Sequence, residues 1–299
     1  FQFGERAGVG LSDGGAVEQW FVRAGLVLAL LLVIAVFLVI GAVLAVVGYL
    51  VANWEFRLSR DALGRSFRSE RGLLTRTETS LESARLRGLE LGQPLGLRLA
   101  GAARLNAIVT GVSSGERSGT LLVPPAPRQV ATQVGEAVLD LPGSEPSPLR
   151  VPLRPHGSAA RRRRLVRALA GAVVVLTAIA AAATYGKIGW ANMLPALLLL
   201  PLAVWLGQDR YRQLGHALSS GHLVVASGTF RGRRDVLQRS GIIGWNIEES
   251  FFQRRAGLCT LIATTAAGKQ QYAAIDIPLT QATALATDAV PGLVEQFLA

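Results

Sequence analysis

Residues 111 to 115 read GVSSG, the Gly-x-Ser-x-Gly form of a nucleophile elbow, and Asp140 and His156 follow in the chain order of α/β-hydrolases. An elbow sets its serine on a sharp turn with a helix directly behind it. Here GERSG and VPPAP follow instead, so a hairpin turn is the better reading. GVGLSDGG, residues 8 to 15, is Gly-rich, but no strand precedes it to aim backbone N–H groups at a phosphate, and it reads as a solvent loop. His156, His216 and His222 lack acidic or cysteine partners at metal-ligand spacing, and surface or juxtamembrane positions are expected for them. The single cysteine, Cys259, excludes an internal disulfide and sits in an alternating stretch as a small core residue. The adjacent Glu248 and Glu249 lack a second carboxylate converging from another element, as general acid–base work requires. No catalytic residue, cofactor or metal is expected, and the chain reads as non-enzymatic.

The basic residues offer a different chemistry. Arg161 to Arg164 form a run with Arg167 close behind, and Arg231, Arg233, Arg234 and Arg239 form a second group. Guanidinium clusters beside a bilayer attract anionic headgroups, by about 1 kcal/mol per residue near the surface. Arg161, Arg162, Arg163, Arg164, Arg231, Arg233 and Arg234 are therefore candidate lipid contacts. Nucleic acid is the less favoured partner for a net charge of +11, because the basic residues border apolar stretches.

Those stretches position everything else. Half of the 299 residues are hydrophobic and only 17% are charged, against the usual quarter. Between Arg23 and Glu55 lie 31 residues without an ionisable side chain. As one helix they would run roughly 46 Å, enough for one crossing of a core about 30 Å thick. Ala168 to Gly186 and Ile188 to Gln208 form a second and third apolar stretch around Lys187, a helical hairpin with Pro195 near the start of its second arm and a kink expected at Pro201. Residues 55 to 167 carry 19 Arg against 10 acids, and 209 to 299 carry 9 basic residues against 7 acids. The positive-inside rule then places both polar segments in the cytoplasm and residues 1 to 20 outside, and the excess of Arg over Lys, 29 to 2, suggests a bacterial cell. An outward N-terminus beginning at Phe1 leads to the expectation of a further upstream helix.

The two polar segments repeat each other. At a constant offset of 156, Gly72 falls on Gly228, Gly88 on Gly244, Arg98 on Arg254, Gly101 on Gly257 and Leu105 on Leu261. Short alternating stretches such as RLNAIVT and CTLIATT predict strands, and each segment closes with a helical pattern, from Ala126 and from Leu279, the latter interrupted at Pro291.

Gly228, Leu237, Arg239, Gly244, then QRRAGLCTLIATTAAG with Gln253, Arg254, Gly257, Leu261 and Gly268, resembles the YdbT-like membrane-associated bacterial pleckstrin-homology family. The first segment keeps Gly72, Arg98, Gly101 and Leu105 but replaces the glutamine by Leu97. The resemblance implies a seven-strand PH-like barrel closed by a C-terminal helix, assembly into multimers, and no catalysis.

The expected organisation is a mixed membrane protein with three transmembrane helices and two cytoplasmic PH-like α+β barrels: 1–20 outside, 21–54 the first span, 55–142 the first module, 143–164 a basic linker, 165–207 the hairpin and 208–299 the second module. The function expected is a scaffold for protein interaction or self-assembly, with homo-oligomer, membrane-protein and lipid partners. Membrane transport, export or resistance and anionic-lipid binding are the alternatives. Transport is disfavoured because the spans carry no Asp, Glu, Lys, Arg or His, which substrate pathways use. In the QRR turn, Phe251 or Phe252 is expected to pack inward and Arg254 to bind carbonyls or an acid.

Overall fold

The computed structural model describes residues 14–111, 120–141, 146–186, 189–219, 221–228 and 230–292. The serine turn, the N-terminal Gly-rich loop, Lys187 and the end of the last helical pattern lie wholly or partly outside the described residues.

The elements follow in chain order: α1 Gly14–Ala52, β1 Arg57–Arg60, β2 Ser66–Arg71, β3 Thr77–Glu82, β4 Leu86–Pro94, α2 Leu95–Leu99, β5 Ala102–Val109, β6 Leu121–Pro127 and α3 Arg128–Val138. Then come α4 Gly157–Thr184, α5 Met193–Ala196, α6 Leu199–Arg212, β7 Gly215–Ser219, β8 His222–Ser227, β9 Arg231–Gln238, β10 Ile242–Glu248, α7 Phe251–Arg254, β11 Leu258–Thr265, β12 Gln271–Pro278 and α8 Leu279–Ala289. Among the described residues, three segments are long and apolar enough to cross a membrane: 28–52, 157–184 and 190–212. The last is broken between α5 and α6, and Pro201 falls in the first turn of α6, where its missing N–H costs nothing.

The chain divides into two units, Phe1–Arg57 with Glu70–Thr77, and Leu58–Ser69 with Glu78–Ala299. In the first, the Gly72 and Leu73 amides donate to the carbonyls of Trp54 and Val51, both at 3.0 Å, and fasten a hairpin turn to the end of α1.

The second unit holds two cores on either side of one sheet. Its strand order is β6-β5-β4-β9-β8-β7, and a second sheet runs β10-β11-β12. β4 pairs antiparallel with β9 from Gly88↔Leu237 to Pro94↔Arg231, joining strands more than 130 positions apart. β8 shows the consequence of being covered on both faces: Leu223 and Val225 enter one core with Leu237, Leu261 and Tyr272, while Val224 enters the other with Leu89, Leu105 and Val236. A strand buried on both sides reads as a continuous apolar run, and LVVA is one.

Each core is closed by an eleven-residue helix that follows a proline. α3 buries Ala131, Thr132, Gly135 and Val138, and α8 buries Ala282, Leu285, Ala286 and Ala289, each set lying on one helical face. The stretch between α3 and α4 is more than a linker, because Leu149 and His156 are fully buried. The basic run lies inside α4 rather than ahead of it. Six strands, not seven, precede each closing helix among the described residues, and the two halves share a sheet instead of standing as separate barrels.

Element boundaries recur at the offset of 156. β2 66–71 maps onto β8 222–227, and β5 102–109 onto β11 258–265. The short turn 83–85 maps onto 239–241, and α2 onto α7 with an extra residue. Gly72 and Gly228 hold the same left-handed turn at φ +109° and +97°, where an added Cβ would lie 2.1 and 2.6 Å from a carbonyl oxygen three residues on. Gly101 and Gly257 follow α2 and α7. Gly88 and Gly244 differ: a Cβ on Gly88 would sit 2.0 Å from the Val236 carbonyl oxygen across the β4–β9 ladder, whereas Gly244 faces open space.

Candidate anion-binding site at the polar end of the helical pair

α4 and α6 pack side by side, and Arg161 Nε donates to Gln208 Oε1 at 3.0 Å near their polar ends. Asp276 on β12 organises this end. Its side chain is fully buried, and it sits at φ +58°. It pairs with Arg163, lies 2.7 Å from Arg164 Nη2, and accepts from Gln253 Nε2 at 2.9 Å. A buried carboxylate is tolerable only with such pairing. Gln253 is buried in turn: its Nε2 also donates to Thr260 Oγ1 at 2.9 Å, and its Oε1 accepts from the Ser250 amide at 3.0 Å, half of a capping box that starts α7.

Beside this network lies a cavity of about 260 Å³ lined by Arg164, Arg210, Ser227, Gly228, Arg231 and Arg233. An adjoining cavity of about 180 Å³ is lined by Arg98, Arg128, Arg212, Arg233 and Arg234 among others. Arg98 is held by Asp209 of α6 at 2.7 Å. Arg210 and Arg231 have no ion-pair partner among the described residues. Arg233 lies 3.2 Å from Asp235, whose carboxyl burial pushes up to about 7; Arg233 opposes the shift, Glu90 across the ladder adds to it and Lys269 opposes it. Converging guanidiniums in a half-enclosed cavity can take a phosphate or carboxylate through bidentate hydrogen bonds.

The structure sorts the sequence candidates. Arg164, Arg231 and Arg233 meet in one cavity. Arg161 and Arg162 are exposed, while Arg163 is spent on Asp276. Arg234 turns inward, donating to the carbonyls of Leu149 and of Val151 (2.6 Å), and burial lowers its pKa to about 10. Arg239 donates to the carbonyls of Asp288 and Ala289 and caps the C-terminus of α8. Leu105, Leu237 and Leu261 are core residues, and Gly268 closes the turn over the Tyr272 hydroxyl.

Three expectations are corrected. Phe251 and Phe252 both face solvent, because the buried member of α7 is Gln253. Arg254 is exposed and its side chain has no partner among the described residues. The histidines are buried rather than superficial: His156 Nδ1–H donates to the Ile275 carbonyl at 3.0 Å, leaving its Nε2 to accept from His216 Nδ1–H at 3.1 Å. The carbonyl can only accept, which sets both tautomers. Arg210 and Asp276 were missed, although an aspartate flanked by isoleucines in an alternating strand signals a buried carboxylate.

The Bacterial PH domain family model matches the chain over residues 164–288, from the polar end of α4 through nearly all of α8. No curated protein matches the chain. No solved structure matches it.

Proposed function

We propose that the chain is a non-enzymatic integral-membrane protein whose two PH-like halves, residues 55–142 and 208–299, form one scaffold beneath the bilayer for protein interaction or self-assembly. The recurrence of element boundaries at the offset of 156 supports reading the first half as a second PH-like copy. The excess of arginine around α4 and α6 supports a bacterial cell membrane with both halves cytoplasmic. The β4–β9 ladder carries the scaffold reading, since it fuses the halves into one platform. A groove of about 250 Å³ between α8 and β7, lined by Leu218, Gln281, Ala284 and Leu285, and the free edge of β10 suit an extended peptide. Crosslinking in native membranes, followed by partner identification and sizing of the detergent-extracted particle, tests this. A bound protein or a multimer is expected; a monomer that captures nothing overturns it.

Anionic-lipid binding is a second reading, favoured by the cavity around Arg210 and Arg231. Phosphatidylglycerol retained by the purified chain should fall when both are replaced by alanine; unchanged retention refutes it.

A further inference from the structure

Four large apolar side chains project into solvent around the polar end of α4 and α6: Leu99 (79% exposed), Phe230 (54%), Phe251 (61%) and Phe252 (71%). They come from three turns, each tied to that end. α2, which ends at Leu99, is held by the Arg98–Asp209 pair on α6. The turn before β9 is joined to α2, as the Phe230 carbonyl accepts from the Leu95 amide at 3.2 Å, and its Arg231 shares a cavity with Arg164 and Arg210. α7 is fixed to α4 because Ser250 Oγ accepts from Arg163 Nη2 at 3.2 Å and Gln253 binds the aspartate that receives Arg163. Arg254 and Arg255 follow the two phenylalanines in the chain, and the rings stack edge to face at 5.5 Å.

We propose that this ring is a bilayer-seating face: Leu99, Phe230, Phe251 and Phe252 enter the boundary between headgroups and acyl chains of the same membrane that α4 and α6 cross, with Arg231, Arg254 and Arg255 on lipid phosphates. The proposal rests on reading α4 and α6 as spans. Continuity identifies the occupant. Arg163 precedes Ala168, where the uncharged stretch begins, by little more than one turn, about 8 Å along the axis, so anything fastened to Arg163 lies at headgroup depth. Aromatic residues beside basic ones are the composition that favours this depth. A peptide groove would gather its apolar groups in one cleft, whereas these four project from three turns, each tied to the helix pair.

The test uses the full chain in nanodiscs containing phosphatidylglycerol, spin-labelled singly at Leu99→Cys, Phe252→Cys, Val174→Cys and Asp288→Cys. Cys259 is buried with its thiol pushed up to about 11, so it stays unlabelled and the native chain is the blank. Labels at 99 and 252 should shift toward oxygen collision and away from a water-soluble nickel chelate, between the deep label at 174 and the aqueous one at 288. A label at 174 that behaves as aqueous overturns the span reading itself. A deep 174 with 99 and 252 matching 288 overturns the seating face alone. Spin–spin broadening at 252 assigns the face to a second copy and overturns it as well.

Discussion

Gln253 Nε2 stands 2.9 Å from Asp276 Oδ1, and this contact joins α7 to the carboxylate that also receives Arg163 and Arg164. The glutamine of the QRR triplet, not its arginines, is what the fold holds.

Gln253→Ala should therefore cost about 1–3 kcal/mol, because it strips hydrogen bonds from buried Asp276, from Thr260 and from the start of α7. Arg254→Ala should stay within about 0.5 kcal/mol, as for other surface changes. Thermal unfolding of the two variants side by side checks the order; equal losses would refute it.

Acid should destabilise the fold through the histidine pair. Burial holds both His156 and His216 down at about 4, below the ordinary value near 6.5. Both are neutral when folded, so the unfolded chain gains protons first, and stability present above pH 6.5 is lost as pH falls toward 4. The loss is on the order of a few kcal/mol for the pair. His216→Asn should flatten the dependence of melting temperature on pH over that window.

Asp235 works with the opposite sign. Its folded value near 7 lies above the ordinary 3.8, so its contribution is complete below pH 3.8 and is lost as pH rises through 7. Asp235→Asn should raise the melting temperature more at pH 8 than at pH 5. A gain confined to acid would count against burial as the cause.

Gly88→Ala should weaken the β4–β9 ladder by several kcal/mol, since a Cβ there meets the Val236 carbonyl oxygen at 2.0 Å. Gly244→Ala, with open space around the site, should be close to neutral or slightly stabilising. Guanidinium unfolding of the pair measures the difference between two glycines that lie 156 positions apart.

Much of the architecture is legible in the residue order. The apolar stretches, the closing helices after Pro127 and Pro278, and the turns at Gly72 and Gly228 announce themselves through composition and spacing. The site is less legible. Arg231 and Arg233 are visible as a group, but Arg210, about twenty positions earlier, joins them only in the folded cavity, and Arg234 leaves the group because the carbonyls of Leu149 and Val151 satisfy it. The double phenylalanine misleads, because hydrophobic character predicts burial on average and says nothing about which residue of a four-residue helix turns inward.

Periodicity, charge asymmetry and the offset of 156 are properties read along the chain, and they alone determined the number of apolar segments and the helical pattern that closes each polar segment. The joining of β4 to β9, the contact of His156 with His216 and the gathering of Arg163, Arg164 and Gln253 on Asp276 link residues far apart in the chain. Tertiary structure decided these, because a buried ladder, imidazole or carboxylate is stable only where distant partners satisfy it together.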